Sequence, residues 1–157
     1  MDHAGRPAED ELVGLFDLSH DAFCIAGFDG YLKRANPAFA RSLGYTLHEL
    51  LARPFMDNVY PDDVESVRSV LAALAAGDDI VGFECRQVCA DGSVRWLEWI
   101  TSSRPRDGVV YGMARDVTER RLANAELSAL RRVATLVTEE VRLRSRRRSP
   151  TPPPAPS

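Results

Sequence analysis

The sequence predicts an α+β fold: a five-stranded antiparallel sheet with helices inserted between the second and third strands, followed by a long C-terminal helix. Three observations carry that expectation. Two Asp-Gly pairs, Asp29-Gly30 and Asp91-Gly92, each lie between apolar extended runs, which is a strong short-range hairpin signal. Between the hairpins, residues 37–76 change to helical spacing punctuated by cap residues. From Thr118 onward, Ala123, Leu127, Leu130, Ala134, Val137 and Val141 follow a 4, 3, 4, 3, 4 spacing, a heptad stripe of nearly three repeats.

Taken in order, residues 1–8 are expected to be disordered. Residues 9–20 form an amphipathic helix with Leu12, Val13, Leu15, Phe16 and Leu18 as its apolar positions. It serves as a lid on the outer sheet face or pairs with its copy in a dimer. The core spans 21–117. Its first hairpin runs from Ala22 to Ala35, and Gly30 supplies the positive φ of a two-residue I′ turn. Asn36 caps a helix that starts at Pro37, where the missing N–H costs nothing, and stops at Gly44. Thr46 and Glu49 form a capping-box pattern for the next helix. Residues 54–60 read as irregular. Asp62 and Asp63 then place carboxylates at the start of a longer helix to Ala76. Val64, Val67, Leu71 and Leu74 face the core, and Gly77 ends the helix.

The second hairpin joins 80–90 to 93–102. A two-residue turn at Asp91-Gly92 makes paired positions sum to 183, so Phe83 faces Ile100, Cys85 faces Glu98, Gln87 faces Trp96 and Cys89 faces Val94. The opposite face then carries Glu84, Arg86, Val88, Arg95, Leu97 and Trp99. Residues 109–117 are the last strand. Residues 118–143 form a helix whose stripe suits a dimeric coiled coil. Residues 144–157 are a basic, proline-rich tail that cannot pack a core.

Composition narrows the functional classes. At 157 residues the chain suits one domain with appendages. No apolar run approaches the roughly 18 residues a membrane span needs; the longest aliphatic stretch is Val70 to Ala76. The N-terminus lacks a secretory signal, so a cytoplasmic location is expected unless the chain belongs to a larger membrane protein. Cys24, Cys85 and Cys89 are too sparse for a disulfide framework. Cys85 and Cys89 lie roughly 13 Å apart on a strand, too far to bridge. All 23 acidic residues precede Val141, whereas five of the 20 basic residues follow it, leaving a body of −8 and a tail of +5. An acidic body argues against nucleic-acid binding.

Five segments share a pattern with one family. Residues 22–37 give an apolar strand, Asp-Gly, a second strand and Asn-Pro. Leu43-Gly44-Tyr45-Thr46 with Glu49-Leu50-Leu51 follows, then Tyr60-Pro61-Asp62-Asp63, then Asp91-Gly92-Ser93 with Arg95-Trp96-Leu97-Glu98-Trp99. Asp116-Val117-Thr118-Glu119-Arg120 closes the series. In this order and spacing, over about residues 12–121, the chain resembles a PAS domain, with Tyr60 where the family's HPDD motif has His. The amphipathic helix at 9–20 resembles the one that precedes many PAS cores.

The resemblance implies a cleft between sheet and helices that binds a cofactor or metabolite. Phe39, Met56, Val67, Leu71, Phe83, Trp96, Ile100 and Met113 are the pocket candidates. Light-sensing members carry a cysteine that the region Phe55-Met56-Asp57-Asn58 lacks, so a cysteinyl-flavin photocycle is not expected. Haem-sensing members commonly use a histidine on the long helix, which residues 62–76 lack. Non-covalent flavin or a small organic metabolite remains open. Asp116, Val117 and Thr118 would transmit the signal, Thr118 capping the outgoing helix. Leu130 to Val137 weakly resembles the start of a GAF domain, a common downstream neighbour.

No nucleotide loop, metal cluster or catalytic constellation accompanies these motifs. The histidines are His3, His20 and His48, and His48 sits inside the second motif, so no enzyme is expected within this chain. The expectation is a sensory module of two-component or phosphorelay type. Its partners would be a second copy of itself, an output domain or kinase outside these residues, and a small-molecule ligand, with no nucleic acid. The alternatives are a ligand-free dimerisation module, or a piece of a histidine kinase, phosphatase or cyclase.

Overall fold

The computed structural model describes residues 6–148 and residue 155. Helix α1 (Arg6–Leu18) leads into β1 (Ala22–Gly27) and β2 (Leu32–Ala35). Helices α2 (Pro37–Leu43), α3 (Leu47–Ala52) and α4 (Val64–Ala75) follow, with 3-10 turns at Phe55–Asn58 and Pro61–Asp63 between α3 and α4. Strands β3 (Ile80–Val88), β4 (Val94–Arg104) and β5 (Val109–Asp116) complete one antiparallel sheet of order β2-β1-β5-β4-β3, and α5 (Thr118–Arg147) leaves it. The five strands and the inserted helices match the sequence reading. Helix α1 begins earlier than residue 9, so Arg6 to Ala8 are helical; residues 1–5 lie outside the described region. Helix α5 likewise runs past residue 143, so Arg144 to Arg147 belong to it, and most of the predicted tail lies outside the described residues.

Local chemistry explains these elements. Asn36 sits at the junction of β2 and α2 with its side chain fully buried. Its Oδ1 accepts from the Phe39 N–H (3.1 Å), which caps α2, and from the Phe23 N–H (2.9 Å). Its Nδ2 donates to the carbonyls of Phe16 and Asp21, each at 2.9 Å. One side chain thus ties α1, β1 and α2 together. Gly44 closes α2 at φ 74°, and Thr46 and Glu49 form the reciprocal capping box of α3. The carboxylates of Asp62 and Asp63 stand immediately before α4, as the sequence reading has them. Asp63 does not cap the helix; its carboxylate turns to Arg86 on β3.

The hairpins depart from the expected two-residue turn. A I′ turn needs positive φ at both central residues, and no described non-glycine residue has it. Each aspartate keeps negative φ and accepts the N–H two residues on: Asp29 Oδ1 from Tyr31 (3.2 Å) and Asp91 Oδ1 from Ser93 (2.9 Å). Only Gly30 (φ 91°) and Gly92 (φ 83°) are left-handed, which makes three-residue loops closed by Gly27–Tyr31 and Cys89–Ser93 hydrogen bonds. The β3–β4 register therefore pairs Glu84 with Glu98, Cys85 with Leu97 and Arg86 with Trp96. Paired positions sum to 182 instead of 183, and a one-residue slip exchanges the faces. Leu97 and Trp99 face the helices with Cys85 and Phe83; Trp96, Glu98 and Ile100 face outward. A bulge at Gly82 (φ 77°) shifts the register again, pairing Val81 with Ile100.

The core lies between the inner sheet face and α2, α3 and α4, with Leu43, Leu50, Leu74 and Leu97 fully buried. On α1, Phe16 packs against Phe23 of the outer face at 6.2 Å between ring centroids. Leu12, Leu15 and Leu18 stay exposed, so α1 does not bury its apolar face as a simple lid would. Helix α5 forms a separate unit from residue 119 on. Ala123, Leu127, Leu130, Ala134, Val137 and Val141 are all exposed along it.

Candidate functional site

A cleft of about 100 Å³ opens between α4, the turn Phe55–Asn58 and the inner sheet face. Of the residues singled out from sequence, Phe39, Val67, Leu71 and Phe83 line it. Met56 packs beside it, against Val59, Val67 and Cys85. Trp96, Ile100 and Met113 lie on the opposite face of the sheet. The first two are turned out by the hairpin register. Met113 is turned out because β5 directs Val110, Gly112 and Ala114 inward, in rows with Thr101 and Trp99 of β4 and Cys24 of β1.

Trp99 takes the place expected for Trp96. Its ring stands 5.9 Å from Phe39, tilted by 58°, and the two make an aromatic wall. Gly112 permits that packing: a Cβ there would meet Cys24 Sγ at 3.0 Å and the Trp99 ring at 3.1 Å. A glycine inside a strand, with an aromatic thirteen residues before it, was the legible signal for this close approach.

The lining is nearly free of charge. None of its side chains is Asp, Glu, Lys, Arg or His. Burial pushes the Cys24 thiol up to about 12, against a smaller opposing effect of a hydrogen bond with the Gly112 backbone. Burial also pushes the Cys85 thiol up. The polar groups are few. Gln87 Nε2 donates weakly to Cys85 Sγ at 3.6 Å, and Asn58 Oδ1 accepts from Arg53 at 2.7 Å. The buried Thr101 Oγ1 has no hydrogen-bond partner in the protein. Among the described residues no group of His, Cys, Asp and Glu is arranged to hold a metal ion.

A polar chain runs from the start of α4 to the end of the sheet. Asp63 accepts from Arg86 three times: from its N–H (2.7 Å), Nε (3.0 Å) and Nη2 (2.6 Å). The guanidinium lies over the rings of Tyr60 (4.3 Å) and Trp96 (5.0 Å). Trp96 in turn is tied through its backbone to the exit segment. Its N–H donates to Thr118 Oγ1 at 2.8 Å, and its carbonyl accepts from the Val117 N–H at 2.9 Å. The Thr118 hydroxyl is therefore engaged with β4 at the point where α5 begins. Asp116 Oδ1 takes the Thr118 N–H (2.9 Å), while its Oδ2 lies 3.6 Å from Arg95. Val117 is buried. Sequence reasoning named the three exit residues but missed the pairing of Asp63 with Arg86, and it missed the true position of Trp96 because that depends on the register.

The sequence profile of the PAS fold matches residues 33–114. No curated protein sequence matches significantly. Among solved structures, the chain is similar to a domain of a sensory box sensor histidine kinase/response regulator from Geobacter sulfurreducens, at 26% identity and TM-score 0.62, covering 73% of this chain and 98% of that one. It is similar to the PAS domain of an HTR-like protein from Haloarcula marismortui, at 25% identity and TM-score 0.61, covering 71% and 98%. It is also similar to an RNA-binding light-oxygen-voltage receptor, at 27% identity and TM-score 0.67, where the match covers 87% of this chain but 39% of the receptor. No described helix is long and apolar enough to cross a membrane.

Proposed function

The chain belongs to the PAS-fold family, and from that membership we propose that it is the sensory module of a signal-transduction protein, coupling a small molecule in its cleft to an output through α5. The observation that carries this reading is the physical continuity between cleft and exit. Helix α4 supplies Val67, Leu71 and Leu74 to the cleft wall, and Asp63, at its start, is bound to Arg86. Arg86 stacks on Trp96, and Trp96 holds Val117 and Thr118. A ligand that displaces α4 has one connected set of contacts through which to bias the Asp116–Val117–Thr118 junction. In physical terms this is a two-state element whose equilibrium a ligand shifts by its differential affinity. In this reading the setting is two-component, by analogy with the sensor histidine kinase domain to which the chain is similar; the output would lie outside these residues and the location would be cytoplasmic.

Absorbance of the purified chain from the near-UV through the visible, with mass spectrometry of what denaturation releases, tests the first half of this reading. A stoichiometric small molecule is the expected result. A bare protein whose spectrum and stability respond to no small molecule would count against it. Asp116→Ala tests the second half: ligand binding persists and the core stays folded, but the response of a fused output is lost. Equal losses of stability and signalling would reduce Asp116 to a structural role.

A second reading has its own observation. Leu12, Leu15 and Leu18 of α1 and the stripe on α5 are exposed apolar surfaces that a homodimer would cover. A dimerisation module without ligand would keep those surfaces paired and leave the cleft to side-chain packing alone.

A further inference from the structure

Resting on the reading of the cleft as a ligand site, we propose that its ligand is a compact, uncharged molecule about the size of one aromatic ring, whose single polar group hydrogen-bonds the Thr101 hydroxyl. Size is the first argument. The cleft, at about 100 Å³, is smaller than the roughly 150 Å³ engineered cavity that takes benzene. It is far below the ~300–1,000 Å³ of pockets for drug-sized ligands. A ring system as large as a flavin would have to part α4 from the sheet. A single ring asks only for small shifts of half-buried side chains in the lining, such as Phe55 and Val70.

Charge is the second argument. No acidic or basic side chain lines the cleft, and the two thiols that do are held neutral by burial. An ion placed there would be desolvated without a partner, so it is strongly disfavoured against a neutral molecule. The aromatic wall of Phe39 and Trp99 suits the face or edge of a ring.

The third argument is the orphaned hydroxyl. Thr101 is 9% exposed and its Oγ1 is unpartnered, whereas buried polar groups are almost always hydrogen-bonded. It sits in the sheet row of Gly112 and Cys24, on the cleft side. A ligand hydroxyl or carbonyl there would meet a need that the protein leaves open.

Phenol and toluene probe this directly, because they match in heavy atoms and differ in one hydroxyl. The full chain, labelled with 15N, is titrated with each while the amides of Thr101 and Gly112 are followed by NMR. Both compounds are expected to shift those amides. The ratio of phenol to toluene affinity is expected to fall about ten-fold in Thr101→Val, which keeps the side-chain shape, and to be retained in Thr101→Ser, which keeps the hydroxyl. An unchanged ratio in Thr101→Val overturns the role of Thr101. Benzoate binding as tightly as phenol overturns the requirement for an uncharged ligand. Both of those outcomes leave the sensor reading standing, because a ring has still entered the cleft. Failure of every ring to bind, together with no molecule released on denaturation, overturns both.

Discussion

Replacing Asn36 by alanine tests whether one side chain holds three elements together. The substitution removes four hydrogen bonds from a site with no solvent access. The bond to Phe39 is an N-cap, and losing such a cap typically costs ~1 kcal/mol. The Phe23 N–H and the carbonyls of Phe16 and Asp21 lose a partner as well. A buried group left unpaired costs about 1–3 kcal/mol, and carbonyls, with a second lone pair, fall at the low end. About 1 kcal/mol for each of the three brings the expected loss to about 4 kcal/mol. For a core of roughly 100 residues, about 4–8 °C per kcal/mol means a fall in Tm of at least ~15 °C. Urea denaturation followed by far-UV circular dichroism and by tryptophan fluorescence gives the free energy and its slope. Asn36→Ser keeps an oxygen for the cap and should recover about 1 kcal/mol of the loss. A loss in Asn36→Ala below about 1 kcal/mol, with an unchanged slope, would refute the reasoning, since the other three partners would then have found substitutes.

Other perturbations bear on the cleft, its connection to the exit and the long helix. Arg86→Lys keeps the charge but loses the fork on Asp63 and the stacking between Tyr60 and Trp96; a cost of about 2 kcal/mol is expected from hydrogen bonds to a charged group, and thermal unfolding within 0.5 °C of the parent would remove Arg86 from the network. Cys24 should stay a thiol well beyond the ordinary range, so thiol reagents at mildly alkaline pH should label it only on unfolding. Its folded-state value, pushed up to about 12 from 9.0, means that the native state holds the proton more tightly. Its contribution is therefore complete below about pH 9 and lost as pH rises toward 12, which a pH series of urea midpoints would reveal; a flat series would deny it. On the homodimer reading, Leu130→Asp places a charge in the α5 stripe and sedimentation velocity should show a shift from dimer to monomer; a parent chain that sediments as a monomer would deny that reading.

The legible part of this molecule was the part specified by local chemistry. Asn36-Pro37, Gly44 and Thr46 with Glu49 each announce a cap whose partner lies within four residues, and all three form as read. Hairpin existence was equally local. Hairpin register was not. It turns on whether an aspartate accepts positive φ or keeps negative φ and folds its carboxylate back on the next N–H, and Asp-Gly is compatible with both. That single choice moved Trp96 and Ile100 out of the cleft and Trp99 into it. The Asp63–Arg86 pair was hidden for another reason: an acidic residue before a helix reads as a favourable end charge, and its partner 23 residues away has no sequence spacing to betray it.

The strand order carries a consequence for synthesis. The central neighbours of the sheet are the first and last strands, with Ala22 opposite Ala114. Until the ribosome has released β5, a nascent chain holds two separate hairpins, and β1 and β4 each present a bare edge where the middle of the sheet will be. Contacts so distant along the chain are slow to form, and unpaired edges invite foreign strands. The sheet is thus most exposed to misassembly just before β5 emerges, and a chain stopped at residue 108 would lack the strand that joins its halves.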